Sequence, residues 1–354
     1  MISSEGSEAH PSQPVSGDPT AAVGHRGKRL PMLDGWRAIS ILLVLAAHML
    51  PLGPSRWRLN EAAGILGMAV FFTLSGFLIV SMLLRDSDIK AFLIKRLARI
   101  LPLAWLVLAL ALPIRGLPWP YWPANFLFYA NLPPFWLDNW TSHYWSLCVE
   151  MQFYLAIAIA VGVLGRRSLV LVPIAAVIVT VVRILADTPV SIVTWLRVDE
   201  ILAGGILALV IHAAPNGGAA RMLRWLPFWP VALLFLLSSH HALPALNYAR
   251  PYLAASMVGI TVMRRVRGAS SLLESQPMAY LATVSYAVYI IHPFAMIGWL
   301  GSGHGVEKYL KRPISFAIIF ALAHLSTFHY EKRFQDWAHR VTRKRTTTQA
   351  VAQA

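Results

Sequence analysis

The stretch "RAISILLVLAAH", Arg37 to His48, carries the fold class. Between Ile39 and Ala46 every residue except Ser40 is apolar, yet the run opens on a permanent cation and closes on a titratable imidazole. Lipid tails solvate neither group, so ionisable side chains in such a segment usually face a bundle interior and mark pathways or relays. Eleven residues at about 100° each make about three turns, so Arg37 and His48 share one helix face. At about 1.5 Å per residue they lie about 16 Å apart along its axis.

Of the 354 residues, 57% are hydrophobic and 13% charged. Soluble domains carry about a quarter charged residues, and apolar runs of about 20 residues, the length that crosses a hydrocarbon core, recur along the chain. The reading is an all-α, polytopic transmembrane helix bundle of about ten spans. They are predicted over 33–52, 62–84, 96–114, 146–164, 168–187, 195–213, 226–240, 247–263, 279–299 and 313–330. Residues 1–30 are polar and read as a disordered cytoplasmic tail, 31–335 as the transmembrane domain, and 336–354 as a basic cytoplasmic tail. Between 115 and 145, five prolines and five tryptophans mark a long interfacial loop, since indole rings suit the headgroup level.

A net charge of +15 would point to nucleic acid in a soluble protein. Here the cations sit in short loops between apolar spans, so no nucleic-acid partner is expected and the bilayer is. Of the 31 Lys and Arg, 22 fall on one side of the predicted spans and eight on the other, which places both termini in the cytoplasm. One cysteine, Cys148, excludes an intramolecular disulfide and a cysteine-cage metal site. No metal is expected, and His240 and His241 stand at a loop end without a third ligand nearby.

Depth then sorts the polar residues. Arg37 lies near the cytoplasmic boundary and His48 in the outer half of the bilayer. "YLATVSYAVYIIHPF" (280–294) carries His292 into the outer half, and "HYWSLCVEMQFY" (143–154) places Glu150 near the outer end of its helix. A carboxylate beside an imidazole is a common general-base pairing, while a histidine bonded to a backbone carbonyl or a paired carboxylate is the structural alternative. On the inner side "FLIKRLARILPLAW" presents Lys95, Arg96 and Arg99. With Arg37 they either hold an anionic, phosphate-rich ligand or set topology.

These motifs resemble the acyltransferase-3 family, the integral-membrane O-acyltransferases that decorate bacterial surface and secreted glycans. "LDGWRAISILLVLAAH" (33–48) resembles its Arg-x10-His signature, "GMAVFFTLSGFLI" (67–79) its second-helix motif, and "FLIKRLARILP" (92–102) its Arg-x-x-Arg motif. "YWSLCVEMQFY" (144–154) is similar to its Trp-Ser-Leu-x-x-Glu-x-x-Phe-Tyr motif, and "WLRVDEILAGGILA" (195–208) and "LATVSYAVYIIHPF" (281–294) resemble further segments. The likeness covers about residues 31–335 in order. "HYEKRFQDW" (329–337) keeps Glu331 but lacks the proline that often follows it in the family. The chain leaves no room for the extracytoplasmic SGNH-type domain of some members, so a stand-alone membrane unit is expected.

The resemblance implies acetyl-CoA or another acyl-CoA as donor, with Arg37, Arg96 and Arg99 on its anionic head and no metal. His48 would deprotonate an acceptor hydroxyl, and Glu150 would orient His48 or assist proton transfer, so that Glu150→Gln would lose most activity. His292, Arg197, Asp199 and Tyr286 are candidate substrate contacts, with Glu200 beside them; ion pairing is the structural alternative for Arg197, Asp199 and Glu200. Ser75, Gly76, Tyr286 and Tyr289 read mainly as packing or channel lining, with a hydrogen bond to donor or acceptor as the alternative for Tyr286. The acceptor would be a carbohydrate or glycosylated molecule, and the location the bacterial cytoplasmic (inner) membrane. Alternatives are acylation of a small molecule such as a macrolide or a lipid-linked sugar, and a proton-coupled transporter using the same His and Glu.

Overall fold

A computed structural model describes residues 30–86 and 88–352, with side chains as far as Arg343. Apart from Leu30, the predicted N-terminal tail lies outside the described residues. Those residues form helices and connections without a strand. The main helices are α1 (Pro31–Met49), α2 (Leu59–Arg85), α3 (Ile89–Ile114), α4 (Trp145–Leu164), α5 (Leu171–Leu185) and α6 (Asp199–His212). They continue with α7 (Phe228–Leu237), α8 (Arg250–Met263), α9 (Gln276–Ile291), α10 (Arg312–Leu325) and α11 (Lys332–Ala352).

Each predicted span has a helix near it, but their lengths differ. Six helical runs are long and apolar enough to cross a membrane, and a seventh arises if α7 and the preceding Gly218–Trp225, bent by 92°, count as one span. The chain is thus a multi-pass membrane protein. α6 and α8 have 14 residues each and α7 has 10. Fourteen residues rise about 21 Å, less than the hydrocarbon core of about 30 Å. Arg197, just before α6, and Arg250, the first residue of α8, belong to a buried ion-pair network at the N-terminal ends of these two short helices.

α2 runs through the middle, with 78% of its most apolar window buried. It packs on α1 and α6, and more lightly on α8 and α4. Hydropathy alone does not distinguish such a helix from one facing lipid, since both are apolar all round. The run containing α4 and α5 has only 28% of its window buried, and Leu155, Ile159 and Val163 lie on its outside.

The α2–α6 crossing depends on two glycines. A Cβ at Gly76 would stand 1.8 Å from the Ile201 carbonyl oxygen, and one at Gly204 would stand 1.9 Å from that of Thr73. Neither obstacle is a movable side chain, so the helices themselves must part. Gly76→Ala is expected to destabilise the protein by at least the usual overpacking cost of about 1–3 kcal/mol. A thermal melt of detergent-solubilised protein checks this, and an unchanged Tm would contradict the close approach.

α1 is held on several sides. Trp36 Nε1 donates to Thr261 Oγ1 of α8 (2.8 Å), and Ser40 Oγ donates to the Gly67 carbonyl of α2 (2.7 Å). At its outer end the Asn60 amide donates to the carbonyls of Ala46, Ala47 and Leu50 (3.3, 2.8 and 2.6 Å). A side chain from α2 therefore satisfies carbonyls that a helix C-terminus leaves without intrahelical partners, fixing the turn that carries His48.

The 115–145 connection is folded rather than extended. It contains the short helix Tyr121–Phe126, and Arg115 clamps Asp138 through Nε and Nη2, each at 3.0 Å. Those hydrogen bonds hold the Asp138 carboxyl below its ordinary range. The clamp is therefore intact above the usual Asp value of about 3.9 and is lost only as pH falls through the depressed one. At the other end of the chain, the missing proline after Glu331 lets the helix continue. Ser326–Glu331 form a π-helical segment that leads directly into α11, and α11 packs on α3. Residues 336–352, expected as a tail, prolong this helix.

Candidate active site

One face of α1 lines two cavities. Named inner and outer by their order along α1 from Arg37 to His48, they differ in lining: the inner one, about 60 Å³, takes Arg37, Ser40, Ile41 and Val44 from α1, Ser75 from α2, and Arg96 and Arg99 from α3. Glu150 and Tyr154 of α4 and Ser285, Tyr286 and Tyr289 of α9 complete its polar lining. The outer one, about 430 Å³, takes Val44, Ala47 and His48 from α1, together with Asn60, Glu61, His143, Trp145 and Arg197. Val44, Met68 and Tyr289 line both and form the partition between them. The α1 positions that reach the cavities recur at three- and four-residue intervals, as one stripe of an α-helix must.

The inner cavity is cationic. Arg37 has one carboxylate near it, Asp34 at 3.9 Å, and among the described residues Arg96 and Arg99 have none within ion-pair distance. Arg96 Nη2 donates to Met82 Sδ at 2.9 Å, and its buried Nε has no hydrogen-bond partner. Glu150 is the acid in this cavity and is 5% exposed. Ser75 Oγ and Tyr154 Oη both donate to Glu150 Oε1, the latter at 2.5 Å. The three guanidiniums outnumber Glu150 of the lining and Asp34 beside Arg37, which leaves positive charge in excess in a low-dielectric space, where it acts most strongly. An anionic group fits there.

The outer cavity is lined by His48 and His143, with His292 packed beside them. His48 Nδ1 lies 2.9 Å from the Val44 carbonyl oxygen. A carbonyl only accepts, so Nδ1 carries the hydrogen and the neutral ring keeps its lone pair on Nε2. His292, 1% exposed, makes the same bond to the Tyr289 carbonyl at 2.8 Å. The His48 and His292 rings stand 5.1 Å apart, and His143 stands 5.7 Å from His292. Neither nitrogen of the buried His143 has a hydrogen-bond partner. In the partition, Tyr289 Oη donates to the His143 carbonyl (2.7 Å) and lies 2.6 Å from Ser146 Oγ.

Several sequence expectations meet here and others separate. Arg37, Arg96 and Arg99 converge on one cavity, and His48 and His292 are neighbours. Glu150 and His48 are not brought together: Glu150 bonds Ser75 and Tyr154 and lines the inner cavity, while His48 lines the outer one. The reason is axial. α1 ends one residue beyond His48, whereas α4 starts five residues before Glu150, or about 7 Å deeper. The group that His48 Nδ1 meets is the backbone carbonyl of Val44. Tyr286, a candidate substrate contact, lines the inner cavity and donates to the Ile100 carbonyl at 2.5 Å. Asp199 pairs with Arg183. Arg197 lines the outer cavity. Lys95 does not line the inner cavity, and among the described residues no group of three or more His, Cys, Asp or Glu is placed to hold a metal.

Sequence reasoning missed His143 and Asn60. His143 immediately precedes "YWSL" and the strongest motif of α4, so proximity was an available signal. Asn60 stood in a polar turn and gave none.

One face of α1 is thus shared by two cavities, one lined by guanidiniums and the other by imidazoles. The family profile of acyltransferase-3, described as an acyltransferase domain, matches residues 30–328. The chain belongs to this family of acyltransferases. Among curated proteins it is similar to a provisionally named O-acetyltransferase of Staphylococcus aureus strain COL, 30% identical over 152 residues, 36% of this chain and 24% of the relative. It is also similar to the peptidoglycan O-acetyltransferase OatA of Listeria monocytogenes, 27% identical over 36% of this chain and 23% of that one. The O-acetyltransferase OatA of Staphylococcus aureus strain NCTC 8325 is 27% identical over 39% of this chain and 26% of its own length. The match spans about a quarter of these relatives. No solved structure matches the chain.

Proposed function

We propose that this is an O-acyltransferase of the bacterial cytoplasmic membrane, with ten spans and both termini in the cytoplasm. It moves an acetyl group from cytoplasmic acetyl-CoA, or another acyl group from its CoA ester, to a hydroxyl of a surface or secreted glycan. Residues 1–30 and those from 336 are its cytoplasmic ends. The observation that carries this reading is the stripe on α1 that lines a cation-rich cavity at Arg37 and an imidazole-bearing one at His48.

Arg37, Arg96 and Arg99 receive anionic oxygens of the donor. The inner cavity of about 60 Å³ suits a phosphate or a thioester arm, so the nucleotide stays outside it. The acyl group passes Val44, Met68 and Tyr289 to reach His48. There Nε2 takes the acceptor hydroxyl proton as the oxygen bonds to the thioester carbon. As the carbon–sulfur bond breaks, the imidazolium returns that proton to the leaving sulfur, so no charge is left behind. Holding the ring by Nδ1 keeps Nε2 aimed at the cavity throughout.

Purified protein in nanodiscs, given acetyl-CoA and a bacterial glycan, should release free thiol and yield acetylated glycan by mass spectrometry. Movement of glycan across vesicle membranes with no thiol release would overturn the enzyme reading in favour of a transporter.

Glu150 has a separate role in this scheme: it tempers the positive charge of the donor cavity. Glu150→Gln keeps the acceptor atoms for Ser75 and Tyr154 but removes the negative charge, so KM for acetyl-CoA should fall while kcat stays within about tenfold. A carboxylate that orients a catalytic histidine costs about 10⁴ in kcat when made an amide. A loss of that size would return Glu150 to His48.

A further inference from the structure

Beside the outer cavity lies a buried cluster of three guanidiniums and two carboxylates. Arg183 pairs with Asp199, Arg250 with Glu200 at 2.9 Å, and Arg197 Nη2 with the same Glu200 at 3.3 Å. All five side chains are at most 2% exposed. Arginine stays protonated in proteins, so three cations against two anions leave one positive charge in excess. Arg183 and Arg250 are further satisfied by backbone carbonyls: Arg183 by those of Thr188 and Pro189, Arg250 by those of Ser238 and Pro189 and by Asn247 Oδ1. Arg197 has no such bonds. Among the described residues its buried Nε and Nη1 are without hydrogen-bond partners, and besides Glu200 the rings of Trp145 and Phe72, at 5.4 and 5.9 Å, face its guanidinium.

The excess charge therefore falls on the one arginine of the three that lines the cavity with His48. The remaining ionisable lining residues do not cancel it. Glu61 is half exposed and held by Arg58 at 2.5 Å, and His48 and His143 are imidazoles. A buried guanidinium with unpartnered donors at the wall of an open cavity is a site for an anion that arrives with a ligand. Trp145, which lines the same cavity, offers a flat apolar face for the ring that bears it.

We infer that the outer cavity selects an acceptor carrying an anionic oxygen group, a carboxylate or a phosphate, which Arg197 receives while the acceptor hydroxyl faces His48. This rests on the acyl-transfer reading, which assigns the outer cavity to the acceptor. The charge is a permanent feature of the free site, which favours a group already ionised in the ground state over the transient oxyanion of the reaction.

The test measures equilibrium binding of methyl glucoside, methyl glucuronide and glucose 6-phosphate to the purified protein in phosphatidylcholine nanodiscs. Removing a hydrogen bond to a charged group typically changes an equilibrium by about 10- to 100-fold. The glucuronide or the sugar phosphate should bind at least about tenfold tighter than the neutral glucoside, and Arg197→Gln should bring that ratio close to one. Whichever anionic probe binds tighter identifies the group. Because Arg197→Gln leaves Glu200 with one partner fewer, Arg197→Lys is measured beside it. Lysine keeps the charge and should keep most of the preference. Equal binding of all three probes by the wild type would overturn the inference, as would an Arg197→Gln ratio equal to the wild type's. A Lys variant that folds but loses the preference as fully as Gln would also overturn it. Thiol release from acetyl-CoA is followed on the same sample: selective anion binding without any thiol release would defeat acyl transfer, whereas thiol release with no anion preference would defeat only this inference.

Discussion

His48→Ala should lower kcat for acyl transfer from acetyl-CoA by about 10²- to 10⁴-fold, the range a positioned general base supplies, while KM for the donor stays close to that of the wild type. The geometry separates the two effects. His48 lines the outer cavity and is no part of the cation-lined space where donor binding is placed. Its loss removes a group needed at the moment of bond formation rather than a binding contact, and such losses fall on kcat. The outer cavity, at about 430 Å³, also has room for a free imidazole. Added imidazole should restore part of the His48→Ala rate, a response that a merely structural histidine would not give. Thiol release by His48→Ala equal to that of the wild type would end the general-base assignment.

Arg37 and His48 illustrate what was legible in the sequence. Both sit on one uninterrupted helix, so the helical period alone put them on one face at two depths, and the structure has them lining two cavities. The i,i+3 spacing of Arg96 and Arg99 worked in the same way. Pairings between helices were less legible, because they depend on where each helix starts and ends. A few residues of error at the ends of α1 and α4 amount to a full turn, about 5 Å. That was enough to join Glu150 to His48 when the chain instead joins it to Ser75 and Tyr154. Ten apolar runs were visible, yet those that became α6, α7 and α8 are short helices. Hydropathy sees the apolar residues and not the ion pairs at their ends. The surplus on Arg197 was out of reach for a related reason. Arg183, Arg197 and Arg250 lie on different segments of chain, and only packing shows that they share two carboxylates.

Arg37→Ala and Arg99→Ala should each raise KM for acetyl-CoA by about 10- to 100-fold with little change in kcat at saturating donor. A hydrogen bond to a charged group contributes about 1.5–3 kcal/mol, which is that range when expressed as an affinity. Neither arginine has a close ion pair among the described residues: Arg99 has no carboxylate within ion-pair distance, and Arg37 has only Asp34, at 3.9 Å. Removing either therefore breaks no strong internal pair and leaves Glu150 with its two hydroxyl donors. The decisive comparison uses S-acetylpantetheine, a donor with the same thioester and arm but without phosphates. The wild type should use it poorly, and neither substitution should make it worse, because the groups that Arg37 and Arg99 would have met are gone. If both variants lose activity equally on acetyl-CoA and on S-acetylpantetheine, the arginines act on the helix bundle and not on the donor. Donor kinetics unaltered in both would move the anion site away from the inner cavity. Arg99→Lys refines the reading, since lysine offers the charge without the planar fork of donors. Partial recovery with Lys would mean that charge matters most, and a loss as large as with Ala would mean that guanidinium geometry does.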